Sequence, residues 1–162
     1  MIIGCCCYIK KNNQTLFLKR TKKKNDVSHD KYLGVGGKQE KNEFIDDCLI
    51  REVKEETGLD LISYKLKGIV FYPSFCGGED EFVYFYTSDE FIGDLIDCNE
   101  GDLVWIDDDK ILDLSLWEGD KLIFDWFKKD KIFNAIFYYD DNGNFNDYKV
   151  NFYWFYIIIK LI

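Results

Sequence analysis

A chain of 162 residues has the size of one ordinary domain, and 47% hydrophobic with 18% aromatic residues supply it with a full core. This composition excludes a disordered, collagen-like or coiled-coil protein. The 21 basic and 30 acidic residues give a net charge of −9, which argues against binding to long nucleic acid through phosphate neutralisation.

Three of the six cysteines, Cys5, Cys6 and Cys7, are adjacent, and no pair has the C-x-x-C spacing of a metal or redox site. Consecutive strand residues point to opposite faces, so we interpret these cysteines as small buried hydrophobes. The sequence opens without a leader pattern, which predicts a reduced, cytoplasmic protein. The longest apolar stretch, 152–159, is shorter than the roughly 20 residues of a membrane-spanning helix, so no membrane partner is expected.

Runs of β-branched and aromatic residues predict the strands. The predicted strand pairs lie at 2–9 with 15–19, 66–72 with 81–87, and 132–139 with 145–155. Asn142-Gly143 between the last two runs is the strongest short hairpin signal in the chain. A short strand is predicted at 102–106, an acidic turn and helix start at 107–109, and a basic loop at 20–31.

Two stretches have helical periodicity. Over 43–57, apolar residues recur at i, i+4 and i+8, with Asn42 as the expected N-cap and Gly58 as the stop signal. Residues 117–128 place their large apolar side chains on one side, as an amphipathic helix does.

The first of these helices crowds three carboxylates. Glu52, Glu55 and Glu56 fall within an arc of about 100° on a helix, at the negative end of the helix dipole. A hard divalent cation such as Mg²⁺, which takes oxygen ligands, would compensate this arrangement, and the glycine-rich segment 34–37 lets the backbone approach the same ion or a phosphate. The alternative is a solvated acidic face laced with Arg51 and Lys54.

The acidic helix is part of a longer pattern over residues 37–59. In order, the pattern is Gly37, five residues, Glu43, seven residues, then Arg51-Glu52-Val53-Lys54-Glu55-Glu56-Thr57-Gly58-Leu59. It matches every specified position of the Nudix box, for which a chance match in such a chain is on the order of 10⁻⁸ to 10⁻⁷. The sequence therefore resembles the Nudix (MutT-like) hydrolases.

This resemblance implies an α+β fold. In Nudix proteins the box forms a loop-helix-loop on a mixed β-sheet, which gives an α/β/α sandwich. We expect one Nudix hydrolase domain over residues 1–162, with a C-terminal hairpin and tail at about 131–162 as an addition. A row of aromatic residues at 153–156 would suit packing against the domain or against a second copy.

The resemblance also implies a metal site. Glu52 and Glu56 would bind Mg²⁺ directly, with Mn²⁺ as a substitute, and Glu55 would bind or orient metal and water. The Gly36 carbonyl would complete the ligand set. Glu100 occupies the place of a distal glutamate that some members use as a ligand or base, and a plain surface acid is the alternative. Whether Glu52, Glu55 or Glu100 is the base stays open.

The implied reaction is hydrolysis of a nucleoside triphosphate to the monophosphate and pyrophosphate, with Arg51 paired to Glu43 to hold the acidic face in register. Looser similarities at 32–38, 99–105 and 116–120 resemble the 8-oxo-dGTP diphosphatase branch. The expected partner is a small nucleotide, bound by a monomer or homodimer. Alternatives are a nucleotide sugar or dinucleoside polyphosphate as substrate, or a nucleotide sensor without turnover.

Five residues are candidates for substrate binding: Arg20, Lys23, Lys38, Trp117 and Asp120. Arg20 and Lys23 belong to a basic cluster that would steer a polyphosphate, with a solvated loop as the alternative. By resemblance, Trp117 would stack on a purine and Asp120 would hydrogen-bond its edge, whereas plain helix core is the alternative for Trp117. Two positions depart from the oxidised-purine pattern, because Leu33 replaces a polar residue and Gly119 replaces a second carboxylate.

Overall fold

A computed structural model describes residues 1–22 and 26–154. The helices and strands in these ranges are β1 (Ile2–Lys11), β2 (Gln14–Lys19), β3 (Tyr32–Leu33), α1 (Ile45–Thr57), β4 (Asp60–Tyr72), β5 (Glu81–Ile92), β6 (Asp102–Asp107), α2 (Glu118–Trp126), β7 (Lys131–Tyr139) and β8 (Phe145–Trp154). Short 3₁₀ helices lie at Phe75–Gly77 and Asp108–Asp113, so the acidic turn and helix start predicted at 107–109 is confirmed.

The strands form one mixed sheet in the order β3-β2-β1-β5-β4-β7-β8, with β6 beside β2. β1 runs parallel to β5 and β4 runs parallel to β7, whereas the other pairs are antiparallel. The predicted first hairpin is confirmed, but β1 and β2 pair only beside their turn, at Lys10↔Thr15 and Lys11↔Gln14. Beyond the turn, β2 pairs with β6 instead.

The two faces of the sheet carry separate apolar clusters. Cys5 and Cys7 of β1 pack on the face covered by α1, whereas Tyr8 and the partly buried Cys6 lie on the face covered by α2. Side-chain alternation along a strand produces this division. The predicted α+β sandwich is therefore confirmed, and so is the interpretation of the adjacent cysteines as small packing residues.

Helix α1 begins later than the sequence predicts. Its N-cap is Phe44, which makes no side-chain cap, and Asn42 instead adopts a left-handed φ of 63°. Glu43 lies before the helix because its carboxylate is bound by Arg51 and by the Glu40 N–H. The predicted stop at Gly58 is confirmed, since this residue has φ 79° and donates to the Lys54 carbonyl.

Other boundaries also differ from the prediction, and for the strands the reason is that pairing extends them. β4 begins at Asp60, because its pairing with β5 continues through bulges. Helix α2 ends at Trp126, two residues before the predicted end. The β7–β8 hairpin is confirmed, with Gly143 at φ 79° in its turn. Since β7 pairs with β4, the hairpin extends the main sheet.

The end predicted for the last strand and the tail beyond it lie outside the described residues, which stop at 154. Within the described ranges, neither helix has the length and apolar character needed to cross a bilayer.

Candidate functional site

The glycine segment lies against the middle of β1. Val35 and Gly37 accept hydrogen bonds from the N–H groups of Cys7 and Cys5, at 2.7 and 2.9 Å. Gly36 lies between them, outside this pairing, and donates its N–H to Glu56 Oε2 at 2.8 Å. A side chain at Gly36 would place Cβ 2.2 Å from the Cys5 carbonyl oxygen at φ 150°, so only glycine fits.

Gly37 makes room for the second glutamate of α1. A Cβ on Gly37 would lie 2.4 Å from the carboxyl carbon of Glu52. The structure thus brings Glu52, Glu56 and Gly36 together, as the sequence predicts. Glu55 is more exposed, with 62% of its side chain accessible, and its carboxylate lies 3.4 Å from the Arg51 Nη1 atom that also contacts Glu52.

Arg51 holds the acidic face in this structure. Its Nε and Nη2 atoms donate to the two Glu43 oxygens at 2.7 and 2.9 Å, and its Nη1 donates to Glu52 at 2.8 Å. The guanidinium lowers the pKa of Glu43 to about 2. The predicted pairing of Arg51 with Glu43 is present, and this cation compensates part of the carboxylate repulsion.

The three glutamates of α1, Glu52, Glu55 and Glu56, form an acidic cluster. Glu56 is its most buried member, with 7% of its surface exposed. Burial raises its pKa to about 7, against the hydrogen bond from Gly36, and the negative charges of Glu100 and Glu52 raise it further. A desolvated carboxylate among like charges is stabilised by a nearby cation.

Glu100 approaches Glu56 from the loop before β6, where it forms an ion pair with Arg20. Arg20 also contacts Asp26, with Nε and Nη2 at 2.7 and 2.6 Å from the same oxygen. The structure therefore places Arg20 between two carboxylates next to the acidic cluster. Lys23, the other residue predicted to steer a polyphosphate, lies outside the described residues.

The donor chemistry of the cluster fits Mg²⁺ or Mn²⁺. Two carboxylates, from Glu52 and Glu56, and the Gly36 carbonyl are all oxygen donors, and Mg²⁺ keeps waters in its other positions. In the described ranges, no three acidic, cysteine or histidine side chains already surround one point as ligands. Instead, Glu52 accepts a hydrogen bond from Arg51, and Glu100 accepts one from Arg20.

A pocket of about 230 Å³ adjoins this cluster. Gly36 and Gly37 line it, next to the face of β1 that carries Cys6 and Tyr8. The Tyr8 hydroxyl is buried and has no hydrogen-bond partner in the described part of the chain. Leu33, which departs from the oxidised-purine pattern, supplies an apolar part of the lining, and the exposed Lys38 lies at the same pocket.

Trp117 and Phe75 form an aromatic wall of the pocket, edge to face with their centroids 5.1 Å apart. The Trp117 indole N–H donates to Ser28 Oγ at 3.2 Å, and Lys31 Nζ lies 4.4 Å from the indole centroid. Trp117 packs in the core cluster, as its alternative interpretation expects, and it also lines the pocket, while its stacking on a purine stays a prediction.

Asp120 is 6% exposed and its carboxylate lines the same pocket. Within residues 1–22 and 26–154 the carboxylate accepts no hydrogen bond. Burial raises the pKa of Asp120 to about 7, although the nearby charge of Lys31 lowers it. Gly119 beside it has no space for a carboxylate, because a Cβ there would lie 2.5 Å from the Phe137 ring.

The sequence did not point to several residues that line the pocket, among them Phe75 and the acidic Glu81. Glu81, the first residue of β5, lines the pocket through the parallel register Ile2↔Glu81. No local motif marks it, since its position depends on which strand β5 pairs with.

Comparisons with known proteins agree with this geometry. Residues 2–127 match the NUDIX domain family. The uncharacterised Nudix hydrolase YvcI of Bacillus subtilis (strain 168) is 33% identical over 102 residues, which is 60% of this chain and 65% of that relative. The chain thus spans slightly less than two thirds of this curated relative's length.

Solved structures give the same fold. The mutator MutT protein from Bacillus halodurans superposes with a TM-score of 0.83 at 26% identity, covering 93% of this chain and 98% of that one. A MutT Nudix hydrolase from Burkholderia pseudomallei has a TM-score of 0.64 at 23% identity, covering 77% and 96%, and supports the fold alone. The family match covers well over half of the sequence, and the chain therefore belongs to the Nudix family.

Proposed function

We propose that the protein is a Mg²⁺-dependent pyrophosphohydrolase of nucleoside triphosphates, with an oxidised purine such as 8-oxo-dGTP as leading substrate. One observation carries the proposal: Gly36 and Gly37 contact the acidic cluster and also line the pocket. A nucleotide whose base enters the pocket would therefore have its phosphates beside Glu52 and Glu56.

The pocket lining supports a flat aromatic base with N–H donors. Trp117 and Phe75 offer ring surfaces for stacking. Asp120 supplies a buried acceptor that lacks a hydrogen bond from the described chain. A base that donates to Asp120 satisfies this carboxylate, whereas leaving it desolvated and unpaired is costly.

The acidic cluster supports the chemical step. Water adds to phosphorus as the bond to the pyrophosphate leaving group breaks, and a carboxylate accepts the proton of the water. Glu52, Glu56 and the Gly36 carbonyl would hold the ion, while Arg51 positions Glu52. A bound Mg²⁺ lowers the pKa of water and neutralises phosphate charge. Glu52, Glu55 and Glu100 remain the candidates for the proton acceptor.

We further propose that the chain acts as one domain, as a monomer or homodimer, in the cytoplasm. The six cysteines are free, and the sulfur atoms of Cys5 and Cys48 lie at a hydrogen-bond distance of 3.7 Å rather than in a disulfide, which is consistent with a reducing compartment.

A turnover screen tests the function. Canonical and oxidised nucleoside triphosphates, a nucleotide sugar and a dinucleoside polyphosphate are incubated with Mg²⁺, with Mn²⁺ or with EDTA, and the products are separated. We expect one pyrophosphate per nucleoside monophosphate, lost in EDTA. A phosphorylated non-nucleotide fragment without pyrophosphate would instead identify the alternative substrates, and binding without turnover would identify a sensor.

Glu56→Gln is the variant for this screen, because it removes a buried charge at the proposed ion. We expect at least a hundredfold loss of turnover, in the range seen when one preorganised electrostatic group is removed. Glu40→Gln, an exposed acid before α1, is the matched control and should keep wild-type turnover. Wild-type rates in Glu56→Gln would show that the site is wrongly assigned.

A further inference from the structure

The pocket contains two carboxylates from distant parts of the chain. Asp120 lies in α2, and Glu81 begins β5. Lys38, which pairs with Gly4 on the other side of β1, faces Glu81 closely enough to lower its pKa, which burial raises. Both carboxylates also affect the pKa of the Tyr72 hydroxyl. Burial raises this pKa well above its usual range, the charge of Asp120 raises it further, and the charge of Glu81 has a weaker effect in the same direction.

Neither carboxylate is satisfied by the protein. In the part of the chain that the structure describes, Asp120 and Glu81 accept no hydrogen bond, and no ion pair within 4.0 Å involves them. Asp120 is more than nine-tenths buried, and it lines the pocket. An ionised carboxylate is purely an acceptor, so the two groups call for a ligand with N–H donors on two of its edges.

Guanine and 8-oxoguanine differ in how many of their edges carry N–H donors. Guanine carries N–H donors at N1 and N2, but its N7 is an acceptor. An oxo group at C8 moves a hydrogen onto N7 and turns that edge into a donor. A carboxylate facing N7 therefore attracts the oxidised base and repels the unmodified one.

We propose that Glu81 is a specificity-determining residue that, together with Asp120, holds an 8-oxoguanine base by its two donor edges. Glu81 supplies from β5 the second carboxylate that Gly119 lacks the space to carry. This inference rests on the proposed function, because it assumes that the pocket binds the base of the nucleotide.

The test is nucleoside binding to the metal-free protein, which involves neither phosphate nor hydrolysis. Isothermal titration with 8-oxo-2′-deoxyguanosine and 2′-deoxyguanosine is carried out on the wild type, Glu81→Gln and Asp120→Asn, at a pH above 7. Glu90→Gln is the control, since it removes the same charge from an exposed position of the same strand. Far-UV circular dichroism verifies that each variant is folded.

We expect the wild type to prefer the oxidised nucleoside by at least about tenfold, as a site that pairs its polar groups rejects a mismatched ligand. Glu81→Gln should weaken binding of the oxidised nucleoside and strengthen binding of 2′-deoxyguanosine, because a carboxamide N–H donates to N7 where a carboxylate repels it. Asp120→Asn should weaken binding of both nucleosides, whereas Glu90→Gln should leave binding of both unchanged.

Equal changes for both nucleosides in Glu81→Gln, or a wild type that binds neither, would overturn the role of Glu81. These results are separable from the proposed function. Hydrolysis of triphosphates without selective nucleoside binding would remove only the inference about Glu81, whereas selective binding without hydrolysis would remove only the catalytic proposal.

Discussion

The main-chain N–H of Gly36 donates a 2.8 Å hydrogen bond to Glu56 Oε2 and so ties the glycine segment on β1 to the last turn of α1. The position of this carboxylate is thereby set by backbone rather than by a flexible side chain. Because Gly36 is bound to the sheet on both sides through Val35 and Gly37, the acidic cluster is anchored to the core.

Replacing Gly37 tests this anchoring. In Gly37→Ala the new Cβ would lie 2.4 Å from the Glu52 carboxyl carbon, so Glu52 must move. We expect a loss of at least about tenfold in kcat and a higher Mg²⁺ concentration for half-activation, since small displacements of catalytic groups are costly. Metal titrations of turnover give both quantities. Glu40→Gln, whose side chain is exposed and lies outside α1, is the control.

The Arg51–Glu43 pair should behave as one unit. Arg51→Lys keeps the charge but loses the two-pronged contact with Glu43, so we expect kcat/KM to fall about tenfold or more. Glu43→Gln should also lower kcat/KM. Since the two side chains share hydrogen bonds, the double variant should be less impaired than the product of the single effects. Strictly multiplicative losses in this cycle would contradict the coupling.

Asp120 should make stability depend on pH. Its folded-state pKa of about 7 lies above the usual value of 3.8, so between these values the folded protein keeps a proton that the unfolded chain has lost. The contribution of this carboxyl to the free energy of unfolding is therefore favourable below about pH 4, declines as the pH rises to about 7, and stays constant above that. The full loss is about 4 kcal/mol at most. Tyr8, Cys6, Tyr72 and Lys31 face Asp120.

Urea unfolding at a series of pH values measures this dependence. Asp120→Asn does not titrate, so its stability relative to the wild type should rise from about pH 4 to 7 and then stay constant. Asp125→Asn, an exposed position of the same helix, should follow the wild-type profile. Parallel profiles for Asp120→Asn and the wild type would show that Asp120 does not retain its proton in the fold.

The basic cluster should act on substrate capture. In the double variant Arg20→Glu and Lys23→Glu, we expect a higher KM for triphosphates and a weaker dependence of KM on salt, because attraction of the polyphosphate is lost. The control is the double variant with Lys10→Glu and Lys128→Glu, which changes the net charge by the same amount at a separate groove. An unchanged KM would end the steering hypothesis, and an effect on kcat alone would assign Arg20 to the positioning of Glu100.

The local features of the acidic cluster could be read from the sequence. Glu52, Glu55 and Glu56 lie within five residues and Gly58 directly follows the helix, so helix geometry alone relates the three carboxylates. The existence of the strands was also predictable, because alternation and turn residues are local. Boundaries such as the start of α1 were not predictable. Arg51, eight residues further along the chain, binds the Glu43 carboxylate and holds Glu43 outside the helix.

The sequence by itself therefore determined which glutamates share one face of the helix and to which family the chain belongs. Only the tertiary structure decided that Arg20 is held between Asp26 and Glu100, and that Glu81 shares a pocket with Asp120. These neighbours are far apart in the chain, and they meet because β5 pairs in parallel with β1 and the loop before β6 returns beside β2. Long-range register of this kind is set by packing across the whole sheet, which no short stretch of sequence contains.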